Sequence, residues 1–151
     1  MLAGSFCGVG TLSRPGGEVD KSFAVTSFGL PAGEGLILTQ TIAWSDGDTD
    51  ERVWTLQPDG PHTYRGTLTG ESAASGEVRV RAAGDALHID YPVAGVPLAR
   101  MRQTLTLGPD GVIANEGTVS LLGVPVRRLT ETITPLDAAL AKTGETACNL
   151  P

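Results

Sequence analysis

Short turn signals recur along the whole chain and leave room for little more than one β-strand between neighbours. They are Asp-Gly, Gly-Asp and other glycine-containing turns at residues 16–17, 31–33, 46–47, 59–60, 84–85 and 110–111. Such residues supply the positive φ angles that tight hairpin turns require. The runs between them are rich in Thr, Val and Leu and alternate between polar and apolar side chains, which favours strands. The pattern predicts an all-β protein.

Ten runs are predicted as strands, at residues 5–13, 20–28, 35–45, 51–57, 63–69, 76–82, 86–92, 97–107, 112–121 and 125–134. Because the connections are short, consecutive strands should pair as a meander. A meander of this size tends to close on itself, which removes unpaired edges. We therefore expect one domain over residues 1–151, an antiparallel up-and-down β-barrel of lipocalin or calycin type. A short C-terminal helix should follow, capped by Thr134 and with Pro135 at its first position.

The charge balance excludes some classes of partner. The net charge is −6 and the pI is near 4.8, so that no overall basic character favours nucleic acid. No run approaches the ~20 apolar residues of a transmembrane helix. The first residues lack the basic and apolar regions of a signal peptide. We expect a cytoplasmic protein from the sequence as it stands, or a periplasmic or membrane-anchored one if a leader was removed. The sequence leaves the oligomeric state open.

Several polar side chains fall on strand faces that are otherwise apolar. By alternation they are Gln40, Arg52, Gln103, Asn115, Arg127 and Glu131, and Trp54 shares the face of Arg52. A polar group in a dry core needs a partner, and Arg52 is a candidate partner for Glu131. One interpretation is an internal polar network or charges in water at the barrel rim. The other is a ligand cavity, whose predicted binding residues are Gln40, Arg52, Trp54, Gln103, Asn115 and Arg127.

Signals for catalysis or metal binding are sparse. His62 and His88 are far apart, and neither is expected to ligate a metal or haem. No cofactor is predicted. The carboxylates at 48, 50 and 51 occupy a turn, where solvated charge is expected. Glu131 is therefore the one inward-facing candidate for a general acid or base.

The two cysteines, Cys7 and Cys148, lie near opposite ends of the chain. In a closed meander the first and last strands are neighbours, so that a disulfide could join these ends. The alternative is two unrelated thiols in a reducing compartment.

The opening segment Phe6-x-Gly8-x-Gly10-x-Leu12 resembles the Gly-x-Trp-x-Gly start of calycin barrels, with Phe in place of Trp. More closely, the chain resembles an uncharacterised family of proteobacterial proteins with a lipocalin-like barrel, many of them predicted lipoproteins. The matching stretches are 6–12, 20–25, 46–47, Arg52-Val53-Trp54-x-Leu56, Tyr64-x-Gly66, 109–111 with Asn115, and Gly123-Val124-x-Val126. The resemblance implies the barrel fold and carries no activity.

Three functions are consistent with these observations. The first is binding of a small apolar or amphipathic ligand, anionic if Arg52 or Arg127 meets its head group. The second is an isomerase or cyclase that uses Glu131 inside the barrel. The third is a packed barrel that acts only through its surface.

Overall fold

The computed structural model describes residues 2–70, 76–93, 95–136 and 148. That part of the chain contains ten β-strands, and each overlaps one strand predicted from the sequence. They are β1 (Gly4–Ser13), β2 (Val19–Ala32), β3 (Gly35–Trp44), β4 (Thr49–Gly60), β5 (Thr63–Gly70), β6 (Gly76–Ala83), β7 (Ala86–Pro92), β8 (Ala99–Leu107), β9 (Ile113–Leu121) and β10 (Val124–Pro135).

The ten strands form a closed barrel. Each strand pairs antiparallel with the next, and β10 returns to pair with β1, with Gly10 opposite Glu131. The predicted antiparallel up-and-down barrel is therefore confirmed. Lipocalins have eight strands, and the diameter of a barrel grows with the number of its strands. The ten strands here enclose a wider interior, which we call the lumen.

Two Asp-Gly turns fold as the sequence predicts. The third prediction, Asp59-Gly60, is wrong, because these residues continue β4 through a shift of register and the chain reverses at residues 61–62. Gly47 and Gly111 have φ angles of 95° and 83°, a conformation that costs glycine little. In each turn the preceding aspartate accepts a hydrogen bond from a backbone N–H two residues on, Asp46 from Asp48 and Asp110 from Val112. These local bonds fix the reversal between strands.

Strand β2 is longer than predicted, because the sequence around Pro31 has the composition of a turn. The pairing of β2 with β1 ends at Gly29, whereas its pairing with β3 continues to Ala32. Pro31 therefore lies beyond the last ladder pair between β2 and β1, the kind of position at which a sheet tolerates proline.

The apolar side chains that point into the lumen form two groups. The larger group is centred on Trp54, whose ring meets the edge of Tyr91 with the centroids 5.1 Å apart. The smaller group contains Phe23, Val25 and Ile42 from β2 and β3. Both groups follow the strand alternation, so that the core of the protein is the barrel interior.

A disulfide links the first strand to a residue that follows β10 in the chain. Cys7 on β1 forms a disulfide with Cys148, with the Cα atoms 5.3 Å apart. Of the two alternatives left by the sequence, the structure thus contains the disulfide. The predicted helix start at Thr134 and Pro135 is wrong, because both residues continue the pairing of β10 with β1. The rest of the predicted helix falls on residues 137–147, which lie outside the described residues. In the described part of the chain, no helix has the length and apolar character needed to cross a membrane.

Candidate ligand site in the barrel lumen

The lumen contains a cavity of about 90 Å³. Its walls are mostly apolar, with polar side chains from several strands among them. Of the residues predicted from strand alternation, the structure brings the following to this cavity: Gln40, Arg52, Trp54, Gln103, Asn115 and Glu131.

Asn115 and Glu131 form a hydrogen-bonded polar pair in the cavity wall. They are direct cross-strand partners on β9 and β10, and Asn115 Nδ2 donates to Glu131 Oε1 at 2.8 Å. Asn115 is only 5% exposed, and its Oδ1 has no hydrogen-bond partner among the described residues. A buried oxygen without a partner costs free energy. Because this atom has almost no accessible surface, a donor on a ligand or a water molecule would reach it only after the side chain shifts.

A glycine on β1 makes room for the Glu131 carboxyl group. A Cβ atom at Gly8 would overlap Glu131 Oε2. The absence of a side chain at Gly8 therefore lets the carboxyl group lie against the β1 backbone. The opening motif of the chain thus contributes space to the site.

Burial changes the acid–base properties of this region. It raises the pKa of Glu131, although the hydrogen bond from Asn115 acts in the opposite direction. Burial also raises the pKa of Tyr91 to about 12, while the charge of Arg52 lowers it and that of Glu131 raises it. Tyr91 is therefore close enough to feel both charges. Since these residues lie on β4, β7 and β10, the three groups approach one another from well-separated sides of the barrel.

Arg52 pairs with Asp50 and not with Glu131, the partner considered from the sequence. Its Nε donates to Asp50 Oδ2 at 3.0 Å, whereas Glu131 is bonded to Asn115. Asp50 was expected to be solvated in a turn, but it lies in β4 and is 6% exposed. Asp50 and Arg52 are two residues apart, so that both point into the barrel. This i, i+2 spacing was the signal in the sequence for the pair.

Gln40 orients the tryptophan of the cavity wall. Its Oε1 accepts a hydrogen bond of 2.6 Å from Trp54 Nε1. Leu38, not Gln40, is the direct cross-strand partner of Trp54, so that the bond runs along the diagonal between β3 and β4. Gln40 therefore satisfies the buried indole and fixes its plane.

Arg127 is the predicted site residue that the structure places elsewhere. It does not line the cavity, and its Nε bonds Asp20 Oδ2 at 3.1 Å. The side chain is 37% exposed. It lies near the start of β10, where the register with β9 shifts between Pro125 and Arg127. Alternation predicts its face, but the contact with Asp20 holds the charge at the rim.

Tyr91 and Ser27 also line the cavity, although neither was among the predicted site residues. Strand alternation groups Tyr91 with the apolar side chains of its face, and this grouping takes no account of its hydroxyl group. The inward parity that it shares with Ile89 was the available signal.

The histidines take no part in the cavity. His62 occupies the turn between β4 and β5, and His88 Nδ1 lies 3.2 Å from Thr104 Oγ1 on the barrel wall. Among residues 2–70, 76–93, 95–136 and 148, no group of three or more His, Cys, Asp or Glu side chains is placed to hold a metal ion.

Comparisons with known proteins agree with the fold and identify a family. The barrel is similar to the structure described as "Crystal Structure of Rv2717c from M. tuberculosis", with a TM-score of 0.66 and 15% identity over 89% of this chain and 92% of that one. At this identity the likeness shows the fold alone. A comparison with curated proteins finds no match. The family described as "Protein of unknown function (DUF3833)" matches residues 1–134, and the chain therefore belongs to the DUF3833 family.

Proposed function

We propose that the protein binds a small amphipathic ligand in the lumen of a calycin-like barrel, with an acidic group of the ligand near Arg52. The observation that carries this proposal is the cavity itself, where the buried Oδ1 of Asn115 has no partner among the described residues. A ligand N–H or O–H group that reached this atom would remove the cost of leaving it unbonded.

The cavity limits the size of what enters it. Drug-sized ligands occupy pockets of roughly 300–1,000 Å³, well above the 90 Å³ found here. An apolar cavity of about 150 Å³ holds a benzene molecule. The part of the ligand inside the barrel is therefore a group of a few non-hydrogen atoms.

Arg52 is suited to meet the acidic group of such a ligand. Strands β2, β4, β6, β8 and β10 all begin at one end of the barrel, which we call the lower end, and Arg52 is the fourth residue of β4. Its side chain is partly exposed, and Asp50 holds the guanidinium group in place. A guanidinium fixed in this way offers further N–H donors in the fork geometry that carboxylates match.

Binding of butyrate, 1-butanol and butylammonium, followed by NMR titration, tests this proposal. We expect butyrate to bind more tightly than either of the other two. In the double variant Asp50→Asn/Arg52→Met, which removes both charges together, butyrate should lose this advantage. The control variant Arg128→Met changes an exposed arginine on β10 and should bind like the wild type. Equal binding of all three probes by the wild type would overturn the anionic assignment, and no binding of any probe would overturn the ligand site.

One observation favours a second candidate function. Glu131 is a buried carboxyl group in a cavity, and burial raises its pKa, as is common for general acids and bases. Such a group could move a proton in an isomerase or cyclase. Exchange of the α-protons of cyclopentanone in D₂O, followed by NMR, tests this. Exchange faster than in buffer, and lost in Glu131→Gln, would support the enzyme, whereas a rate equal to that in buffer would support binding alone.

The Cys7–Cys148 disulfide supports an oxidising compartment for the protein, because cytosolic thiols are usually kept reduced. Alkylation of free thiols in protein taken from its own host, followed by mass spectrometry, tests this. Two alkylated cysteines would contradict it.

A further inference from the structure

Two neighbouring loops at the lower end of the barrel expose a cluster of aliphatic side chains. Leu98 and Leu122 are 71% and 72% exposed, the highest values among the large apolar residues that the structure describes. The N–H of Leu122 donates to the carbonyl oxygen of Leu98 at 3.4 Å, so that the two loops are in contact. We call this cluster the apolar tip, and its exposed members are Val96, Leu98, Leu121, Leu122 and Val124.

The backbone at the apolar tip holds both leucines in an unfavourable conformation. Leu98 and Leu122 have φ angles of 65° and 52°, in a region that side chains with a Cβ rarely adopt. Leu122 and Gly123 are consecutive residues with positive φ, as in a type I′ turn, where Asn-Gly is strongly preferred. The turns at Gly33 and Gly47 place glycine at positive φ instead. Leucine at position 122 therefore destabilises the turn and gains no burial within the barrel.

Arginines follow the apolar tip on both of its strands. Arg100 and Arg102 follow on β8, and Arg127 and Arg128 on β10. Arg102 and Arg128 both pair with Thr118 of β9, so that they lie two strands apart, about 10 Å, on the outer face.

The charge of this region is opposite in sign to that of the whole chain. Asp90 pairs with Arg100 and Arg102, and Asp20 pairs with Arg127. Glu116 also lies on the outer face of β9 between these strands. The three carboxylates still leave an excess of one positive charge over the four arginines, although the chain as a whole carries a charge of −6. The apolar tip is thus bordered by net positive charge.

We propose that the apolar tip docks onto a phospholipid bilayer that contains anionic lipids. The leucines enter the boundary between head groups and acyl chains, and the arginines behind them meet the lipid phosphates. A membrane fits this surface better than a protein partner for two reasons. The tip consists of two projecting turns, and its exposed apolar side chains are all aliphatic, whereas the cores of protein interfaces are enriched in aromatic residues and Met. This proposal is independent of the lumen site.

Sedimentation with vesicles tests the proposal on the full chain. We expect the wild-type protein to bind vesicles of phosphatidylcholine with about 30% phosphatidylglycerol more tightly than pure phosphatidylcholine, and to lose this preference in high salt. Leu98→Asn and Leu122→Asn should each weaken binding about tenfold, because each removes one inserted aliphatic side chain.

These two variants separate binding from folding. Asparagine tolerates positive φ better than leucine, so that Leu122→Asn should keep or raise the melting temperature while it weakens binding. The matched control is Leu30→Asn, which changes an exposed leucine on β2 near the opposite end of the barrel and should bind vesicles like the wild type. The proposal fails if the wild type binds neither vesicle, or if Leu30→Asn weakens binding as much as Leu122→Asn. A concentration-dependent dimer that Leu122→Asn abolishes, without vesicle binding, would also overturn it and identify a protein interface.

Discussion

Asn115 and Glu131 face each other across β9 and β10, and the amide group of the first donates to the carboxyl group of the second inside the barrel. The bond satisfies one oxygen of Glu131, while the second lies against the backbone at Gly8. Burial still raises the pKa of Glu131 despite the bond. Burial therefore favours the protonated acid, and the bond from Asn115 offsets only part of this effect.

The unfolding free energy of Glu131→Gln, compared with that of the wild type, should increase as the pH rises. A raised pKa in the folded state means that the stabilisation is complete below the unfolded value, about 4.5, and is lost as pH rises through the folded value. Glutamine mimics the protonated acid at every pH. Urea denaturation at pH 5 and pH 8 should show the advantage of Glu131→Gln growing with pH. Glu116→Gln on the outer face is the control, and an equal difference at both pH values would contradict the prediction.

Tyr91 should ionise only at strongly alkaline pH. Its pKa is raised to about 12 from the ordinary value of 10.0. The folded state favours the neutral phenol. The contribution of Tyr91 to folding stability is therefore complete below pH 10 and is lost as the pH rises towards 12. The difference in ultraviolet absorbance between wild type and Tyr91→Phe should show a phenol titrating near the upper value. A midpoint near 10 would show that this hydroxyl group is solvated.

Truncation of Trp54 should strongly destabilise the barrel. Trp54 is buried, packs against Tyr91 and donates to Gln40. Trp54→Ala should therefore cost about 3–5 kcal/mol of unfolding free energy. Val53→Ala, on the outer face of the same strand, should cost no more than about 0.5 kcal/mol. Chemical denaturation measures both, and a loss below about 1 kcal/mol for Trp54→Ala would be inconsistent with its burial.

Replacement of Gly8 by alanine should destabilise the protein through a steric clash with Glu131. The new Cβ would overlap the Glu131 carboxyl group, so that Gly8→Ala should cost about 1–3 kcal/mol. Gly16→Ala, in open space between β1 and β2, is the control and should have little effect. Adding Glu131→Ala to Gly8→Ala should cost less than the sum of the two single changes, because the overlap is then gone. Strict additivity would contradict the contact.

Loss of the disulfide should lower stability. The bridge joins residues 141 positions apart, and the chain-entropy model then gives an effect of about 5 kcal/mol through the unfolded state. Cys7→Ser should therefore unfold at lower denaturant concentration than the oxidised wild type, and reduced wild type should behave like the variant. If reduction left the midpoint unchanged, the bridge would not constrain the unfolded chain.

The strands and their inward faces follow from local signals, because turn residues and alternation act over two to five residues. Gln103 and Asn115 were placed in the lumen on that basis, and the cavity includes both. Depth along the barrel axis depends instead on the pairing register, which a single sequence does not encode locally. For that reason alternation groups Arg127 with Arg52, although Arg127 lies at the rim. The local composition likewise predicts a solvated Asp50, although this residue is buried. The pairing of Pro31 with β3, beyond the point where β2 stops pairing with β1, also depends on register and not on the local sequence.

The pairing of β10 with β1 also determines when the barrel can close during synthesis. The two strands are more than a hundred residues apart in the chain, so that β1 has no partner on this side until β10 has emerged from the ribosome. Until then β1 and the most recently made strand each present an unpaired edge to other nascent chains. Contacts of such long sequence separation form slowly, and partly made sheets are prone to aggregate. Ribosome-stalled chains that end before β10 should therefore depend on chaperones more than the finished barrel does.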